Sequence, residues 1–405
     1  MADVAMPRLL YVSDVPVESS QHGSALLFRA LETYRADRLR IIETGSPSQP
    51  ARRLAGVAYA SLPIGRRRWL DSRLHGVYSA WLTWRAASGA GRVMSSLAGF
   101  EVEAVATVGH GFGWLTAAET ARRLHVPLHV IVHDDWPRAS AITEVFRPWL
   151  DRMFGKVYRG AASRLCVSPF MAEEYERRYG AAGSLMYPSR SNDCPVFDAI
   201  SPRQIGGGEM VVGYGGSSSG PVVESLKALA RALPGTRTRL VVFGGFDEDA
   251  KRQLLAESEA ISFHGLVPFD RMICELREIA DVLFVPMSFD RSQRDNMTIS
   301  FPSKLTDYTA TGLPLLVHGP EYSSAVRWAR AEINVAEIVD DPREAPLRAA
   351  IQRLHADTGR RALLAANAVA AGQKFFDASL ARAALSAALL GRPAGLGTAA
   401  AGAEA

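Results

Sequence analysis

Short unbroken apolar runs, each followed by a polar loop and then an amphipathic stretch, recur from one end of this sequence to the other. In the first half they are Leu9-Leu10-Tyr11-Val12 and residues 39–43, 102–108 and 127–132; in the second they fall at 211–214, 239–243, 261–264, 282–285, 313–317 and 335–339. A strand that is apolar on both faces has to be covered on both. The stretches of helical periodicity between the runs supply that cover, so the pattern predicts parallel α/β sheets with helices on each side.

The chain has 405 residues, too many for one ordinary core, and the pattern predicts two such domains. A stretch rich in Ser, Asn, Pro and Gly between 188 and 208 marks the boundary. We therefore expect domains over 1–195 and 205–375, a terminal helix over 376–392, and a disordered tail of small residues over 393–405. Charged residues are 22% of the chain and the formal net charge is +4, ordinary values for a folded, soluble protein. No apolar run reaches the roughly 20 residues of a membrane span, and Met1–Pro7 lacks an export signature, so the expected location is the cytoplasm. Cys166, Cys194 and Cys274 have neither disulfide nor zinc spacing and are expected to be buried small hydrophobes.

One region resists the pattern. Residues 51–100 carry eight arginines against a single acid, Asp71, and include a helical stretch near 70–85 with Trp81 and Trp84. The simplest expectation is a solvated basic face over buried tryptophans. The alternative is that Arg66-Arg67-Arg68-Trp69 meets an anionic or lipid-linked acceptor, as a peripheral membrane contact at the inner face of the plasma membrane. No nucleic-acid module is present, and none is expected to bind.

In an open parallel sheet, ligands bind beyond the carboxyl ends of the strands, where loops lead into helices. Gly215-Gly216-Ser217-Ser218 follows one strand, and its glycines and exposed amides suit a diphosphate, though a plain Gly/Ser turn has the same composition. The segment 301–314 places Pro302 in a first helical turn and Gly312 just past the end. There Ser303 and Lys304 could meet a phosphate and Asp307 a ribose hydroxyl; the chain has lysine at only five positions, which draws attention to Lys304. A capped surface helix is the alternative. His133-Asp134-Asp135-Trp136 ends another strand, with His133 and Asp134 as the candidate catalytic pair. Successive residues there diverge, so no metal is expected. His110, between glycines, is either a ligand contact or a turn histidine. His264-Gly265-Leu266 could present backbone amides to a nucleobase.

Taken in order, the Gly23 loop, the strand running into His133, Val167-Ser168-Pro169 leading to Tyr179-Gly180, the Gly215 loop and the Phe301–Pro314 segment resemble the retaining family 4 glycosyltransferases of GT-B fold. The resemblance spans nearly the whole chain. It implies two Rossmann-like domains facing a cleft, with acceptor bound mainly by the first and a nucleotide-diphosphate sugar mainly by the second, and a C-terminal helix crossing back. It further implies a donor site formed by Gly23 and Ser24 together with the Gly215 loop, His264–Leu266, and Ser303, Lys304, Leu305 and Asp307. His133 would face the transferred sugar, and retention would need no essential metal. This chain departs from the family where the first acid of the E-x7-E motif falls at Ile299, and where the Gly215 loop lacks the usual Arg/Lys pair. A non-hydrolysing nucleotide-sugar epimerase, with Asp134, Asp135 and Asp307 as its acids, and an inert nucleotide-sugar-binding subunit are the competing readings. The acceptor, whether glycan, lipid-linked or small molecule, is not specified.

Overall fold

All five residues of strand β1 (Leu9–Ser13) are buried, as are those of β4 (Ala104–Val108) and β5 (Leu128–Val132). This is what continuous apolar runs require. The computed structural model describes residues 6–19, 22–191, 194–198, 205, 207–267 and 269–392; the tail 393–405, expected to be disordered, lies outside them. With β2 (Leu39–Glu43), β3 (Ala58–Ser61), β6 (Ser163–Cys166) and β7 (Ser184–Leu185), these strands form a seven-stranded parallel sheet in the order β3-β2-β1-β4-β5-β6-β7. A second parallel sheet holds β8 (Met210–Gly215), β9 (Thr238–Phe243), β10 (Ile261–Gly265), β11 (Val282–Pro286), β12 (Leu315–His318) and β13 (Glu337–Val339), ordered β10-β9-β8-β11-β12-β13. Strand order reverses between β1 and β4 in one sheet and between β8 and β11 in the other, which are the positions where such sheets open a crevice.

The chain divides into two compact units, Met1–Pro188 with Ala378–Ala405, and Ser189–Asp377. The helix Ala378–Leu389 thus returns to the first unit, where it packs on the helix His22–Leu31 and on β6, with Arg382 3.5 Å from Glu32. In the second unit, Val212, Tyr214, Leu240, Val242 and Phe284 from the strands join Leu226, Leu229, Ile351 and Leu354 from the helices in one core, all fully buried.

Local signals hold the elements in place. Ser168 caps the helix Pro169–Tyr179 by accepting from Met171 N, Pro169 opens it, and Gly180 closes it in the left-handed region at φ 67°.

Four sequence expectations change. The helical stretch near 70–85 is two helices, Arg67–Leu70 and His75–Arg85. Its tryptophans are not buried: Trp69, Trp81 and Trp84 are exposed, because the face turned to the domain is made of small residues. The helix after Phe301 is a single short turn and a half, Lys304–Tyr308, with Ser303 at its N-cap, so Pro302 precedes the helix rather than opening it. Of the cysteines, Cys166 is buried and the other two are partly exposed.

Candidate functional site

In the first unit the loops beyond β1, β4 and β5 converge on His133. Residues 109–113 turn around Asp14, whose half-buried carboxylate accepts from Phe112 N at 2.5 Å and Thr44 Oγ1 at 2.5 Å. A Cβ on Gly111 would lie 2.0 Å from Asp14 Oδ2, and φ there is +68°, so this turn needs glycine. The wrapped turn delivers His110 against Asp134, with Nδ1 3.4 Å from Oδ2; His133 Nε2 lies 3.6 Å from the same oxygen. Trp136 packs on the His110 ring at 4.4 Å. Gly23, early in the helix His22–Leu31, lies against His133: a Cβ there would sit 3.0 Å from His133 Cε1. Ser24 behind it is buried.

Electrostatics assigns different states to these groups. Burial lowers the pKa of His133, with Asp134 opposing, so the imidazole is neutral at pH 7. Burial pushes the Asp134 carboxyl up, but His110 and His133 beside it outweigh that and its net direction is down. Asp134 is therefore a carboxylate between two imidazoles. Donor atoms of His110, His133 and Asp134 lie within 4.8 Å of one another, the donor types of a zinc site, and the group brings in His110 rather than Asp135. Asp135 points elsewhere: it is fully buried and paired with Arg178.

In the second unit the loops beyond β8, β9 and β10 are laced by backbone bonds, Gly216 N to Phe243 O at 2.9 Å and Gly244 N to Gly265 O at 2.6 Å. Gly244 has φ +126°, and a Cβ there would meet Gly216 O at 1.8 Å, so only glycine fits. Gly215 N donates to Tyr308 Oη at 2.8 Å, which ties the β8 loop to the helix Lys304–Tyr308. Lys304 Nζ lies over the Tyr214 ring, 5.1 Å from its centre. A Cβ on Gly216 would be 2.8 Å from Lys304 Nζ, so the ammonium rests on the bare backbone of that loop. Burial lowers the Lys304 pKa, opposed by Asp307.

The remaining predicted residues are placed as follows. Ser218 Oγ donates to Asp247 at 3.1 Å, so that hydroxyl is already engaged. His264 packs on Phe243 at 4.8 Å beside Gly265, and Leu266 is 84% exposed. Asp307 is half-buried one turn after Ser303. Leu305 is fully buried, so only its backbone can meet a ligand, and Ile299 is buried too. Sequence reasoning passed over Asp14, Tyr308 and Gly244. For Gly244 a signal existed: Phe243-Gly244-Gly245 repeats at β9 the strand-end glycine pair of β8. Tyr308, four residues after Lys304, gave none.

Residues 35–186 match the model of Glycosyltransferase Family 4. Among solved structures, Anabaena HepE bound to UDP and glucose is 16% identical, with 95% of this chain and 99% of that one covered and a TM-score of 0.63. An α,α-trehalose-phosphate synthase (UDP-forming) from Burkholderia vietnamiensis is 15% identical over 95% and 97% of the two chains, with a TM-score of 0.65. WaaG, a glycosyltransferase involved in lipopolysaccharide biosynthesis, is 14% identical over 90% and 95%, with a TM-score of 0.59. A search of the curated proteins finds no match. At such identities the structures speak to the fold. The chain therefore has the GT-B fold, and within its first unit residues 35–186 are similar to Glycosyltransferase Family 4.

Proposed function

We propose that this chain transfers a sugar from a nucleoside-diphosphate donor, with retention of anomeric configuration, and that its second unit holds the diphosphate. The observation that carries the reading is Lys304. A half-buried ammonium resting on the glycine backbone between Tyr214 and Gly216, in no ion pair among the described residues and with Asp307 the nearby carboxylate, has room for the further countercharge that a diphosphate would bring. The Gly216 and Gly244 turns leave room for phosphate oxygens to approach the backbone, so Lys304 takes over the role of the missing Arg/Lys pair. Asp307 would accept from the ribose, with Ser303 and the amides near Gly265 completing the nucleotide contacts.

In the first unit, neutral His133 would donate to a hydroxyl of the transferred sugar while Asp134 orients it. Gly23 keeps the face of that ring open. Charge on the departing diphosphate would be met by Lys304, and a departing phosphate oxygen would take the acceptor proton. UDP is the first donor base to test, since solved relatives of this fold bind UDP and UDP-glucose. Peripheral membrane contact through Arg66–Trp69 belongs to the same reading, for it suits a lipid-linked acceptor.

The epimerase alternative loses one of its carboxylates, because Asp135 is held by Arg178. The inert-subunit alternative draws on Ile299, whose buried side chain cannot hold a hydroxyl. Thermal unfolding with UDP, GDP, TDP and their sugars tests the reading: a ligand at 100 times its Kd stabilises the native state by about 2.7 kcal/mol. No shift with any of them would sink it, and an epimerised nucleotide sugar formed without acceptor would replace transfer by epimerisation.

A further inference from the structure

The helix His75–Arg85 is inside out for a surface helix. Its buried side consists of Gly76, Ser79, Ala80, Leu82 and Thr83, mostly small or polar. Its outer side, with the residue before it, carries Leu74 (57% exposed), Val77 (58%), Trp81 (43%) and Trp84 (70%). Steps of three, four and three residues put these on one stripe. The inner face is small because the helix lies close on its support: a Cβ on Gly76 would meet Thr143 Oγ1 at 2.4 Å. No larger side chain could turn inward there. Trp69, 41% exposed, extends the stripe, since Tyr78 lies 6.2 Å from its ring and stacks on Trp81 at 5.5 Å.

Cations rim this apolar row. Arg66, Arg68, Arg73 and Arg85 are exposed, and among the described residues they form no ion pair. The Arg68 guanidinium lies 5.9 Å from the Trp69 ring centre and that of Arg85 5.4 Å from Trp81. A second copy of the chain would set these arginines against their own kind. A surface that is apolar at its centre and negative at its edge is the complement, and an anionic bilayer has that profile: tryptophan settles at the headgroup level, and each arginine near an anionic surface strengthens partition about fivefold.

We infer that Arg66–Trp69 and the helix His75–Arg85 together form an interfacial anchor for membranes carrying anionic lipid. This deepens the peripheral contact proposed above, and it rests on that reading only for its purpose, not for its evidence. Trp84, Trp81, Val77 and Leu74 enter the headgroup layer, while the arginines meet lipid phosphates.

Flotation of the full chain with phosphatidylcholine vesicles, with and without phosphatidylglycerol, tests the inference. The chain should float with the anionic vesicles, more than tenfold more weakly with the neutral ones, and less as salt rises. Tryptophan emission should shift to the blue on binding. The pair Trp81→Ser and Trp84→Ser should weaken binding at least tenfold at an unchanged unfolding midpoint, and Arg66→Ser with Arg68→Ser should remove the preference for anionic lipid. No flotation at low salt, or flotation indifferent to the tryptophan pair, would overturn the anchor. So would a dimer that the tryptophan pair makes monomeric, since a second copy would then cover the face. UDP-induced stabilisation, measured alongside, keeps the two readings apart: a chain that floats but binds no nucleotide fails only the transfer reading.

Discussion

Asp135 and Arg178 form a two-point ion pair, Oδ1 to Nη1 at 2.9 Å and Oδ2 to Nη2 at 2.7 Å, with both side chains buried and the Tyr175 hydroxyl 3.3 Å from Oδ1. The pair fastens the loop after β5 to the helix Pro169–Tyr179. It thereby decides which of two adjacent carboxylates anchors the loop and which, Asp134, remains beside His133. Asp135→Ala should destabilise the fold by about 1.5–3 kcal/mol, because Arg178 loses both bonds to the buried carboxylate and keeps only Glu174, 2.6 Å from its Nε. Arg178→Ala should cost a similar amount, and the double variant clearly less than the sum. Urea unfolding of the three variants checks this, and additive losses would show that the pair does not act as a unit.

Lys304→Met should weaken stabilisation by nucleotide sugars while leaving the ligand-free fold about as stable, because it removes a desolvated, half-buried cation from the face of the Tyr214 ring. Loss of one charge-assisted contact predicts roughly a 10- to 100-fold weaker Kd, about 1.4–2.8 kcal/mol. Calorimetric titration with UDP reads it. An unchanged Kd would remove Lys304 from the site.

Gly216→Ala and Gly244→Ala should differ in kind. The first places a methyl against the movable end of Lys304 and 2.6 Å from the hydroxyl of buried Tyr214, so binding suffers most and folding less than in the second. The second forces φ +126° on alanine and a methyl into Gly216 O, a rigid backbone atom. It should cost at least about 2 kcal/mol of stability. Thermal melts without ligand, followed by UDP titration, separate the two.

Burial lowers His129 from 6.5 to about 4 and lowers His133 as well. A histidine whose folded pKa is depressed takes up its proton more readily in the unfolded chain. Stability is then full above about pH 6.5 and falls as pH drops toward about 4. The loss attached to His129 should be on the order of 2–3 kcal/mol. Urea midpoints between pH 7 and pH 4 should show this slope, and His129→Gln should flatten it. A slope the substitution leaves unchanged would place its origin elsewhere.

The alternation of apolar runs and helical stretches, the strand-end glycines and the placement of His133 and Lys304 were legible because each is a local matter. Continuous apolar residues force a strand to be covered on both faces, and strand direction then puts the loop after Gly215 and the loop that begins at His133 at the carboxyl edges of the sheets. Only the tertiary structure showed that Asp135 turns inward to Arg178 while its neighbour Asp134 meets two histidines, since adjacent side chains diverge by geometry that the order of residues does not state. The same holds for the helix His75–Arg85. A stripe of Leu74, Val77, Trp81 and Trp84 reads as a core face by its spacing, and the spacing is indifferent to which side the domain lies on. What set the side was shape: Gly76 beneath Thr143 admits close contact where no tryptophan could fit, and the apolar stripe was left facing outward.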